Sequence, residues 1–146
     1  MKIINQTSAG GIVYKKIKNI LWLICQHSQH KGWVFPKGLI GDQGNNESME
    51  QAALRETEEE TGIKAKIINK APVKVSYEFI QTASAKAPAV KVKKTVYYFL
   101  MEYVSGDTKD HDWEMSEAKF VTADEVTKTL TYKSDQEAFE QIHKLF

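Results

Sequence analysis

Residues 41–63 read GDQGNNESMEQAALRETEEETGI, and the second half of that stretch sets an arginine and three glutamates at helical spacing. The order is Arg55-Glu56, two positions, Glu59-Glu60, one position, then Gly62 before the apolar Ile63. Five fixed residues, each used at roughly 6%, coincide by chance about once per million start positions. On a helix, positions three and four apart share one face, so Glu56, Glu59 and Glu60 converge while Glu58 points about 100 degrees away from Glu59. Like charges at this spacing repel by a few tenths of a kcal/mol per pair. Lys64 is four positions beyond Glu60 but lies past Gly62, so the patch calls for a countercharge from outside the chain. Magnesium is the natural choice, with manganese as a substitute. It takes oxygen ligands octahedrally and binds through carboxylates together with substrate phosphates.

The flanks predict a helix over residues 47–61. Asn46 is the expected cap, Glu47 and Glu50 are acidic residues in the first turns, and Gly62 ends the helix in a left-handed conformation. Met49, Ala52, Ala53 and Leu54 supply apolar contacts. Glu47 and Arg55, eight apart, are spaced for an ion pair along one side of the helix.

The chain has 146 residues, 42% hydrophobic and 27% charged, which suits one domain over residues 1–146 with a real core. A formal charge of +1 gives no general pull toward nucleic acid or membrane, so attraction for phosphate must be local. Cys25, the only cysteine, reads as a small core residue in a reducing compartment. With no signal-peptide pattern and no span-length apolar segment, a cytoplasmic location is expected. Residues 82–94, TASAKAPAVKVKK, are small, basic and proline-containing.

β-prone runs fall at residues 11–14, 20–25, 67–68, 73–80, 92–103 and 119–122. Helical patterns fall at 47–61, 123–130 and 134–146. Strands on both sides of a central helix, with two late helices, predict an α/β fold in which a mixed sheet is layered between helices.

The acidic segment resembles the signature of the Nudix hydrolases, G-x5-E-x7-R-E-U-x-E-E-x-G-U with U aliphatic. These enzymes hydrolyse a nucleoside diphosphate linked to another group. Gly41, Glu47, Arg55, Glu56, Glu59, Glu60, Gly62 and Ile63 fall on its positions, and Thr57 departs from the aliphatic one. Relatives that resemble dinucleoside polyphosphate hydrolases place the motif glycine in a Pro-Lys-Gly triplet, here Pro36-Lys37-Gly38. Either Gly41 fills that role by spacing, or Gly38 keeps it and three residues are inserted before Glu47. The match of residues 33–38, WVFPKG, favours Gly38.

The resemblance covers nearly the whole chain and implies a Nudix-type α/β/α sandwich with a mixed β-sheet. It implies metal binding by Gly38, Glu56, Glu59 and Glu60, with Glu59, Glu60 and Arg55 in the catalytic group. Glu114, in His111-Asp112-Trp113-Glu114-Met115, matches the later-loop glutamate that serves some relatives as proton acceptor. Lys37 lies near the polyphosphate in the family, and Lys94, in Lys94-Thr95-Val96, matches a phosphate contact. Base recognition needs a flat side chain; Tyr77, Phe79, Tyr97, Tyr98 and Tyr132 are available, strand alternation sets Tyr97 and Tyr98 on opposite faces so that at most one can serve, and Tyr77, Tyr98 and Tyr132 are the candidates.

The branch most resembled is the bis(5'-nucleosyl)-tetraphosphatases, which act on diadenosine tetraphosphate. The competing substrates are triphosphorylated RNA 5' ends, which are also the single way nucleic acid enters, diphosphoinositol polyphosphates and oxidised nucleoside triphosphates. A nucleotide sensor without catalysis is the competitor from another class. Such modules lose motif glutamates, and this chain retains them all.

Overall fold

Alternation along two long strands decides the layering. In the computed structural model, which describes residues 1–41 and 46–145, the chain runs β1 (Lys2–Lys16), β2 (Ile20–His27), β3 (Trp33–Val34), β4 (Lys37–Leu39) and α1 (Met49–Thr61). It continues through β5 (Ile63–Ile67), β6 (Val73–Gln81), β7 (Val90–Gly106), a 3-10 turn (Thr108–Asp110), β8 (Met115–Val121), α2 (Ala123–Thr129) and α3 (Lys133–His143).

Parallel pairing of β1 with β7 runs from Lys2↔Val90 to Tyr14↔Glu102 and forms the spine of the mixed sheet. Each long strand also carries antiparallel partners, β2 and β4 on β1, β5 and β6 on β7, while β2 pairs with β3 and β8.

Because strand side chains alternate in direction, the two faces of this spine fill separate cores. Ile12, Tyr14, Val96, Tyr98 and Leu100 join Val126, Phe139 and Ile142 of α2 and α3 on one face. Ala9, Val13, Phe99 and Met101 meet Ala52 and Ala53 of α1 on the other. The result is the expected α/β/α sandwich with a mixed sheet. Among the described residues, no helix is long and apolar enough to cross a membrane.

Where α1 rests on the spine, the contact is set by glycine. A Cβ on Gly11 would stand 2.6 Å from Thr57 Oγ1 and 2.7 Å from Met101 Sδ, so any side chain there would force these side chains to shift. Thr57, at the motif's aliphatic position, is fully buried against that glycine.

The sequence expectations need several adjustments. The helix begins at Met49 and not at Glu47, and its cap is Ser48 and not Asn46. Ser48 accepts from the Gln51 N–H while the Gln51 side chain accepts from the Ser48 N–H, a reciprocal capping box that satisfies two otherwise orphaned donors. Gly62 ends the helix as expected, at φ 77°. Strand β1 starts nine residues before the apolar run at 11–14, because pairing with β7 and β4 stabilises its polar first half. The last helix stops at His143, short of the expected 146; Phe146 lies outside the described residues.

Candidate active site

Helix α1 buries a face that apolar packing alone does not explain. Beside Ala52, Ala53, Thr57 and Thr61 it buries Glu56 and Glu60. Removing an ionised carboxylate from water costs several kcal/mol, more than neighbouring alanines offset. The compensation is visible in part. Arg55 Nε and Nη2 donate to Glu47 at 2.6 and 3.0 Å, while Nη1 donates to Glu56 Oε1 at 2.8 Å and to Glu59 Oε2 at 3.2 Å. One guanidinium therefore ties together three carboxylates. The Arg55 hydrogen bond holds Glu47 below the usual carboxylate range. The expected pair between Glu47 and Arg55 is present, with Glu47 sitting just ahead of the helix. Lys64 adds nothing to the patch, because it turns away to Glu58 at 4.0 Å.

Glu60 has no such cation bonded to it. Its Oε1 accepts from the backbone N–H of Lys37 at 3.3 Å, and it shares a hydrogen bond with Glu56. Burial, and then the charge of Glu56, push Glu60 up to about 9. Burial also raises Glu56, against the pull of Arg55. Two carboxyl groups joined by a hydrogen bond hold a proton between them, and a hard cation is the natural replacement for it.

The approach loop fits this arrangement closely. A Cβ on Gly38 would lie 2.1 Å from Glu56 Cδ, so only glycine lets β4 pass over that carboxylate. Gly41 serves another purpose. At φ 89° it turns the chain, and its N–H donates to Glu47 Oε1 at 3.0 Å. Gly38 is thus the glycine against the acidic face, and residues 42–45, where extra loop length falls, lie outside the described residues. Among the described residues no three carboxylates or imidazoles stand preassembled at ligand distance. Glu59 explains why, being 46% exposed and drawn toward Arg55.

On the far side of Glu60 lies a cavity of about 820 Å³, lined among others by His30, Lys37, Tyr77, Phe79, Tyr132 and Asp135. Burial pulls the Lys37 ammonium down, but Asp135, Tyr77 and Glu60 around it outweigh that effect and hold it above its ordinary value. Asp135, only 3% exposed on the first turn of α3, accepts from the Tyr98 hydroxyl at 2.7 Å. Lys94 faces the same region: register places it opposite Tyr77, and burial, then Lys37, lower its pKa while Glu60 and Glu56 oppose them. Lys91 and Lys93 point the other way and pair with Glu78 at 3.0 and 3.8 Å.

His30 adds a polar edge to the cavity. Burial and then His27, stacked on it at 4.1 Å, lower its pKa. Its Nδ1 accepts from the Gly32 N–H and bonds the Tyr132 hydroxyl, both at 3.0 Å, which leaves the proton on Nε2.

Tyr77 and Tyr132 therefore reach the cavity, whereas Tyr98 does not. Tyr98 is 1% exposed, with its ring against Phe35 and its hydroxyl spent on Asp135; it belongs to the core behind the cavity wall. The β-alternation that buries Val96 and Leu100 buries Tyr98 with them. Glu114 is half-buried beside the acidic helix, where its charge helps raise Glu60. Three contributors escaped the sequence. His30 and Asp135 carry no local pattern, and Asp112, whose N–H donates to the Glu59 carbonyl at 3.1 Å, is recognisable only once the loop is folded.

Comparison with known proteins agrees with this geometry. The NUDIX domain profile matches residues 4–142. A "Putative mutator protein MutT4" of Mycobacterium tuberculosis (strain CDC 1551 / Oshkosh) is 31% identical over 152 residues, covering 99% of this chain and 57% of that protein. The chain thus spans little more than half the length of that relative.

The fold is shared with a C. elegans Ap4A hydrolase binary complex (TM-score 0.65, 23% identity, 96% of each chain covered). It is also shared with the E. coli dihydroneopterin triphosphate pyrophosphohydrolase (TM-score 0.69, 18% identity, 98% of this chain and 99% of that one). A profile that spans nearly the whole chain, over a helix whose buried glutamates sit under a glycine, places this protein in the Nudix family, hydrolases of pyrophosphate bonds that generally use divalent metal ions.

Proposed function

We propose that this chain hydrolyses a phosphoanhydride bond in a nucleotide polyphosphate, with a dinucleoside polyphosphate such as diadenosine tetraphosphate as the preferred substrate. The observation that carries the reading is the contiguity of the aromatic cavity, Lys37 and the buried Glu56–Glu60 pair. A cavity of this size takes a nucleoside, and Tyr77 and Tyr132 offer it ring faces; stacking contributes about 1–3 kcal/mol per base and tolerates many bases. Beside it, Lys37 and Lys94 meet the phosphates as they leave the nucleoside.

Glu56, Glu59 and Glu60, under Gly38, are the residues that would hold magnesium or manganese. The oxygen donor set and the proton trapped between Glu56 and Glu60 both suit a hard dication. When bound, such an ion neutralises phosphate charge and lowers the pKa of water. Among the described residues the polar partners of Arg55 are carboxylates, so its part is to orient Glu56 and Glu59 and to hold Glu47 against the loop. Glu114, half-buried and with a charge that helps raise Glu60, is the group we assign to take the proton from the attacking water.

The test is product analysis on a panel of dinucleoside polyphosphates, triphosphorylated RNA and inositol pyrophosphates, with and without magnesium. Cleavage of the dinucleotide at the highest kcat/KM, with magnesium required, is expected. Faster cleavage of another member, or turnover independent of divalent ions, overturns the reading.

A further inference from the structure

An aromatic residue outside the cavity stands on a turn tied to the acidic helix. Trp113 is 79% exposed, the most exposed large apolar side chain among the described residues. A lone surface aromatic is ordinary; what sets this one apart is its mounting. The residue before it is tied to the acidic helix, the Asp112 N–H donating to the Glu59 carbonyl at 3.1 Å. The residue after it is tied to the loop between β2 and β3, the Glu114 carbonyl accepting from the Ser28 N–H at 2.8 Å. Asp112 Oδ1 in turn accepts from the Glu114 N–H at 3.1 Å and closes the turn. The indole is thus projected into solvent from a backbone fixed on both sides, so ordering it against a ligand forfeits little entropy.

Two backbone bonds link the cavity wall to this turn through the acidic helix: the Lys37 N–H donates to Glu60 Oε1 at 3.3 Å, and the Asp112 N–H, next to Trp113, donates to the Glu59 carbonyl at 3.1 Å. A substrate with one base at the cavity end and phosphates over the acidic helix brings its other end out at this turn. Around it lie Asp112, Glu59 and Glu114, which disfavour a free phosphate and leave the ring face as the attractive surface.

We propose that Trp113 is a stacking platform for the distal base of a two-base substrate, and so a specificity residue for dinucleoside over mononucleoside polyphosphates. This rests on the proposed function, and the experiment separates the two. The ratio of kcat/KM for diadenosine tetraphosphate to that for ATP is measured in the unaltered protein, Trp113→Phe and Trp113→Ala. Trp113→Ala is expected to lower the ratio about tenfold through KM, and Trp113→Phe to restore most of it.

In parallel, a methylene-bridged, uncleavable diadenosine tetraphosphate should quench tryptophan emission in the unaltered protein and lose most of that quenching in Trp113→Phe. If the unaltered protein cleaves no dinucleoside polyphosphate, both readings fall. If it cleaves one and Trp113→Ala keeps the ratio unchanged, or the quenching survives in Trp113→Phe, the platform alone is overturned.

Discussion

The two halves of the candidate site are built on opposite plans. The acidic half is nearly all local: Glu47, Arg55, Glu56, Glu59 and Glu60 lie within fourteen consecutive residues, and one guanidinium organises three of their carboxylates. The cavity half is nearly all remote: His30, Lys37, Tyr77 and the start of α3 with Tyr132 and Asp135 are four separate segments that the sheet and α3 bring together. The difference is one of tolerance. A local constellation keeps its spacing as long as the helix forms, whereas the cavity depends on every layer of the sandwich. On the proposed reading, chemistry on the helix and recognition on the assembled wall can therefore be altered separately.

The strongest way to break that contrast is to remove one charge from the helix. Glu60→Gln keeps the shape of the side chain and should lower turnover by several orders of magnitude with an unchanged circular dichroism spectrum. Near-normal turnover would remove Glu60 from the metal role. Next comes the glycine that covers the helix. Gly38→Ala forces a Cβ to within 2.1 Å of Glu56 Cδ unless one of them shifts. A displacement of about 1 Å near the chemistry lowers the rate roughly a hundredfold, so a loss of that order is expected in kcat. A change confined to KM would instead assign Gly38 to substrate placement.

The cavity half should answer differently. Tyr77→Ala removes one stacking face and should raise KM for a dinucleotide about tenfold with kcat largely preserved, as loss of one base stack implies. A collapse of kcat with unchanged KM would merge the two halves into one.

The smallest expected effect is on stability. Glu60 is raised from its ordinary 4.5 to about 9, so its protonated form is favoured by the folded state. That contribution is fully present at low pH and is lost as pH rises through the interval from 4.5 to about 9. The metal-free protein should therefore lose melting temperature from pH 6 to pH 9. Magnesium should restore more at pH 9 than at pH 6, because at low pH it must displace the shared proton. An equal restoration at both values would contradict the shared proton between Glu56 and Glu60.

What the sequence determined by itself was the helix and the residues on its acidic face. Spacing alone placed the glutamates, Gly62 and the partnership of Glu47 with Arg55, because a regular helix turns sequence separation directly into geometry. The same logic could have found the true cap, since Ser48 and Gln51 have the spacing of a capping box. Strand alternation also separated Tyr97 from Tyr98, yet it could not tell which face of the sheet would be covered. Only the tertiary structure buried Tyr98 behind the cavity and set Asp135 beneath Lys37. It also set Gly38 against Glu56, because a clash of a Cβ with a carboxylate exists only after β4 crosses α1. Contacts between segments far apart in the chain depend on how the layers stack, and no local spacing encodes that distance.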